Sequence, residues 1–106
     1  MAINQREVYL LPHPINPSSI PPHPFIVLST KEANDHESTF VAVMITASDF
    51  KRDDFSFDLK DDMFLKPLDK QNCHVRMHLI TLILSEEIIG RKINEMKEPQ
   101  KLLIIE

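Results

Sequence analysis

The chain has 106 residues, 42% of them hydrophobic and 26% charged, with a formal net charge of −4, one cysteine and one glycine. That length suits one domain, no apolar run nears the roughly 18 residues that span a bilayer, and no signal-peptide pattern opens the chain. A lone cysteine cannot form an internal disulfide, so a reducing cytoplasm is the expected compartment; the negative balance argues against a broad grip on double-stranded DNA and makes any nucleic-acid site local.

The first apolar run, Val8-Tyr9-Leu10-Leu11, is short and β-prone. It meets six prolines in the thirteen residues 12–24, which remove backbone donors and fix φ, so this segment is expected to be an extended, stiff loop. Phe25-Ile26-Val27-Leu28-Ser29 and Thr39 to Thr46 are continuous apolar runs that suit buried strands, and the polar stretch Thr30 to Ser38 between them reads as a turn. Phe55 to Leu59 alternates like a half-exposed strand, Asp61-Asp62 marks a turn, and Asp49, Asp53 and Asp54 read as a solvated turn. Cys73 to Leu84 has a two-residue period at first and a helical one later, which predicts a strand followed by a helix or turn. Ser85-Glu86-Glu87 looks like the start of a short helix, and Lys101 to Ile105 beyond Pro99 like a closing strand or packed tail. Many short strands and little helix predict a mainly β fold, a small β-barrel with one or two short helices.

The stretch Cys73-His74-Val75-Arg76-Met77-His78 concentrates the reactive side chains. On a regular strand His74, Arg76 and His78 share one face, because successive side chains alternate. That face reads as an ordinary solvated surface, as a nucleotide-binding or catalytic surface, or, with Cys73, as a partial zinc site for which no recognised ligand spacing completes four-coordination. Cys73 itself reads as a small buried apolar residue.

Taken in order, the proline loop, His23-Pro24, Met44-Ile45-Thr46, Cys73-His74-Val75-Arg76-Met77-His78 and Ile89-Gly90-Arg91-Lys92-Ile93 resemble the MazF/PemK/Kid family of toxin endoribonucleases. That family has an Arg-Pro pair, a Pro-Ile-Thr strand end, a Ser-x-Val-Arg-x-Asp strand and an Ile-Gly-x-Leu segment at the matching places. The resemblance implies a single SH3-like barrel over residues 1–106 and cleavage of single-stranded RNA by general acid-base chemistry, with no metal or other cofactor. It further implies a homodimer and a cognate antitoxin whose C-terminal segment covers the RNA groove.

Carried over by position, Arg76 is the expected phosphate clamp, since a guanidinium binds phosphate in bidentate fashion and keeps its proton, and Thr46 the expected hydroxyl donor. His78 stands where the family has aspartate and His23 where it has arginine. A histidine pair can supply both base and acid, with His78 as base and His23 or His74 as acid. His74 and His13 are the further candidates for RNA contact, the latter if the proline loop folds over the site as a lid. The competing expectation is a non-catalytic barrel that engages a protein partner through apolar surface residues such as Ile20.

Overall fold

The computed structural model describes residues 2–47, 56–68, 70 and 72–97, and only the backbone of residues 77–79. Six strands form one sheet: β1 (Glu7–Leu11), β2 (His23–Val27), β3 (Thr39–Thr46), β4 (Ser56–Asp58), β5 (His74–Leu84) and β6 (Ile89–Glu95), in the spatial order β4-β5-β3-β2-β1-β6. Neighbouring strands are antiparallel. The sheet curls toward closure where Phe64 bridges Met96, with the Leu65 amide donating to the Glu95 carbonyl at 2.9 Å and the Lys97 amide to the Met63 carbonyl at 2.8 Å. This is the small β-barrel the sequence predicts.

Strand alternation divides the core in two. Val8, Ile26, Val43, Ile45, Cys73 and Val75 pack on one face with Phe64 and Met96. Tyr9, Leu11, Phe25, Val27, Phe40 and Ala42 pack on the other with Ile3 and Ile83. Both faces of β2 and β3 are therefore buried, which is why those runs are apolar without alternation.

Thr30 to Ser38 is not a turn but holds a helix, α1 (Lys31–Glu37). The Thr30 hydroxyl accepts from the Ala33 amide, Lys31 pairs with Asp35 at 2.6 Å, and Ser38 ends the helix in the left-handed region at φ 56°. Its one buried side chain is polar: the Asn34 amide donates to the Ile3 carbonyl at 2.8 Å. With no apolar stripe, hydrophobic periodicity gives no helical signal here.

Cys73 to Leu84 also differs from expectation. β5 runs unbroken to Leu84, held by pairing with Thr39 at the start of β3, and strand alternation is lost from the sequence there because Ile80, Leu82 and Leu84 are apolar though exposed, beside buried Ile83. Pairing jumps from Val43↔Ile80 to Ile45↔Val75, so residues 76–79 bulge out of register. Ser85 to Glu87 is a single 3-10 turn, as is Asp61 to Met63. Pro24, placed in the loop by the sequence, lies within β2 opposite Leu10, where the β2–β3 pairing, which runs from Phe25 to Val27, has already stopped. A missing N–H costs little there. Gly90, at φ 76°, sits where the β1–β6 register jumps from Leu10↔Ile89 to Val8↔Asn94. The expected tail strand at 101–105, Phe55, and the aspartates at 49, 53 and 54 lie outside the described residues.

Candidate active site

One sheet face changes character along its length. Tyr9, Leu11, Phe25, Val27, Phe40 and Ala42 make it apolar through the middle. Beyond them the same alternation places His13, His23, Thr46 and His74, so the apolar face ends in a polar band.

Register fixes the band. Thr46 of β3 lies opposite His74 of β5, and His74 lies opposite Asp58 of β4. Facing residues in an antiparallel pair bring their Cβ atoms to about 4.5–5.5 Å. Arg76, half-buried, lies opposite Ser56, one step further along β5. On the other side His23 lies opposite Leu11, two residues beyond Phe25 at the end where the β2–β3 pairing stops. Thr46, His74 and Asp58 thus form a row across β3, β5 and β4, with Arg76 beside it and His23 at the same end of the sheet.

His13 joins the row from the loop after β1. Its ring packs edge-on against His23, with centroids 5.5 Å apart and planes at 72°. His13 is buried, and its Nδ1 accepts from the amides of Ile15 and Asn16, both at 3.3 Å. His13 therefore anchors one end of the proline loop rather than lying exposed over the row. The signal was present as two His-Pro dipeptides, 13–14 and 23–24, at either end of the loop.

Burial separates the remaining candidates. Thr46 is 7% exposed and His74 is 0% exposed. Among the described residues neither His74 ring nitrogen has a hydrogen-bond partner, an expensive arrangement for a buried polar ring. Cys73 faces the opposite side of the sheet from His74, in the core, with its thiol donating to the Lys70 carbonyl at 3.1 Å. That opposition leaves Cys73 and His74 unable to ligate one metal ion together. The bulge begins at Arg76, so counting residues by twos no longer assigns a face to His78, whose side chain lies outside the described residues.

This arrangement offers a guanidinium, a hydroxyl and at least one partly accessible imidazole along one strand row, a set suited to phosphodiester chemistry. The profile of PemK-like, MazF-like toxins of type II toxin-antitoxin systems matches residues 4–103. The chain belongs to that toxin family. A solved mycobacterial endoribonuclease in complex with its cognate antitoxin is similar in fold, with a TM-score of 0.65 over 91% of this chain and 81% of that one, at 19% identity. Comparison with curated proteins finds no match. In this MazF-like toxin no helix among the described residues is long and apolar enough to cross a membrane.

Proposed function

We propose that this MazF-like toxin is an endoribonuclease that cleaves single-stranded RNA without metal or other cofactor. Support comes from membership of the toxin family over residues 4–103 and from the fold shared with an endoribonuclease. The observation that supports the reading is the pairing of Thr46 with His74 on β5, next to Arg76.

In the proposed reaction the ribose 2′-oxygen attacks the adjacent phosphorus. Its proton passes to His78, the P–O2′ bond forms, the P–O5′ bond breaks, and protonated His23 gives its proton to the leaving 5′-oxygen. Arg76 holds the phosphoryl oxygens through charge-assisted hydrogen bonds, and the Thr46 hydroxyl donates to the same group. His74 is wholly buried beside Thr46, so its part is to seat that residue rather than to touch RNA. The products are a 2′,3′-cyclic phosphate and a 5′-hydroxyl.

The same reading gives the toxin a homodimeric form and a cognate antitoxin, whose acidic segment would meet the guanidinium that otherwise meets phosphate. Purified protein incubated with long unstructured RNA between pH 5 and 8 is expected to cut it, and Arg76→Ala and His78→Ala to abolish cutting and growth inhibition together. Intact RNA, with growth inhibition unchanged in both variants, would overturn the proposal.

A second reading has one observation in its favour. Along β5, Ile80, Leu82 and Leu84 are exposed, Leu82 to 68%, and Ile15 in the loop to 84%. Such apolar surface fits a barrel that acts by binding a protein. Leu82→Lys separates the two: it would abolish growth inhibition by a binding module and leave RNA cleavage by an enzyme intact.

A further inference from the structure

The two histidines at the ends of the proline loop are held in opposite proton arrangements by the backbone. His23 Nδ1 lies 2.9 Å from the Pro21 carbonyl oxygen. A carbonyl only accepts, so this nitrogen carries a proton, and Nε2 is the position that gains or loses one. His13 is the reverse, because its Nδ1 accepts from the amides of both Ile15 and Asn16. A proton added there would face two N–H groups and break both hydrogen bonds of the turn. Two protonated imidazoles with centroids 5.5 Å apart would also repel. The residue opposite His23 on β1 is Leu11, which does not titrate. Among the described residues the ionisable ring packed against His23 is His13, and the backbone sets opposite proton arrangements on the two Nδ1 atoms.

We propose that His13 is a positioning residue for the catalytic proton donor His23: a ring held neutral by the Ile15 and Asn16 amides, packed edge-on against His23 so that His23 Nε2 alone carries the mobile proton. This rests on the ribonuclease reading above and assigns the acid role within it. His23 in its charged form keeps its Nδ1–H bond to Pro21, gives the Nε2 proton to the leaving 5′-oxygen, and is left in the neutral form with Nδ1 still protonated. No rearrangement of its hydrogen bonds accompanies the transfer. The loop thereby becomes part of the site: His13 couples the conformation of residues 13–16 to the orientation of the acid.

The test uses the full chain and two readouts. In nitrogen-proton correlation spectra of the imidazoles between pH 5 and 8, His23 is expected to keep its Nδ1 proton and change at Nε2, while His13 Nδ1 stays bare. Protonation of His13 Nδ1 within that range, or a neutral His23 with its proton on Nε2, overturns the proposal. His13→Asn retains an acceptor for the two amides, as asparagine does in turns, while removing the ring. It is expected to mix the His23 tautomers, alter the pH profile of cleavage and lower kcat by about 10- to 100-fold, the scale of a misplaced catalytic group. Wild-type rate, pH profile and His23 tautomer in His13→Asn would mean that His13 only caps the loop, and the proposal fails. If the wild-type protein cuts no RNA, the ribonuclease reading fails instead, and the His23 tautomer in His13→Asn still decides whether His13 positions it.

Discussion

The two ends of one sheet face treat buried polar side chains in opposite ways. At the β1 entry, Glu7 is 7% exposed. Its carboxylate accepts from the Asn4 amide at 2.7 Å and the Tyr9 hydroxyl at 2.9 Å, with the Lys92 ammonium 3.6 Å away. At the other end His74 is fully buried and, among the described residues, neither ring nitrogen has a hydrogen-bond partner. Between them lies the same apolar core. A satisfied buried network rigidifies a fold, whereas an unsatisfied buried ring costs stability and is retained where some other demand maintains it. The Glu7 end thus reads as scaffold, and the Thr46–His74–Arg76 end as the part where the proposed ribonuclease function would draw on stability.

This contrast is broken or sharpened by mutation. The largest effect is expected at the active end: Arg76→Ala lowers the RNA cleavage rate by at least about 10²–10³-fold, the scale of losing one preorganised donor, with little change in the denaturant midpoint. Next comes Glu7→Ala, which strands the Asn4 amide and Tyr9 hydroxyl and costs about 2–4 kcal/mol by urea unfolding, with the cleavage rate per folded molecule unchanged. Equal loss of activity and stability in both variants would erase the distinction.

Tyr9→Phe removes one bond of the Glu7 network and costs about 1 kcal/mol at neutral pH. It also has a pH signature. Burial, and then the Glu7 carboxylate, push the Tyr9 phenol far above its ordinary 10.0. Above about pH 10 the unfolded chain gives up a proton that the folded protein keeps. Stability from this group is therefore full below that pH and falls as pH rises beyond it. Thermal melts between pH 8 and 11 should show that decline in the wild type and a weaker one in Tyr9→Phe.

The smallest effect is expected at His74. His74→Leu replaces an unsatisfied polar ring by an apolar side chain, so the denaturation midpoint should stay within about 1 kcal/mol of wild type or rise, while cleavage falls because Thr46 loses its seat. A large loss of stability would show that His74 belongs with Glu7 in the scaffold.

Much of the barrel was legible because β2 and β3 are apolar on both faces and β1 is short and β-prone. What escaped was written in hydrogen bonds rather than in hydrophobic period: α1 rests on the Thr30 cap and the Asn34 side chain, and its exposed faces look like a turn. The helical-looking spacing in β5 came from apolar Ile80, Leu82 and Leu84 on its exposed face beside buried Ile83, which periodicity alone cannot tell from a change of element. In the proposed site, Thr46, Arg76 and His23 are candidates because their positions match a family pattern in order. The partnership of His13 with His23 did not follow from that pattern, because residues ten apart across a proline loop meet only once Leu11 and His23 are paired. Nor could alternation alone reveal that His74, sharing a face with Arg76, lies wholly inside.

The central claim, RNA cleavage by the residues beside Arg76, is tested most directly by analysing the ends of RNA fragments made by the purified toxin in the presence of a metal chelator. The account predicts 2′,3′-cyclic phosphate and 5′-hydroxyl ends that disappear with Arg76→Ala. Uncut RNA, or fragments with 3′-hydroxyl and 5′-phosphate ends, would contradict it.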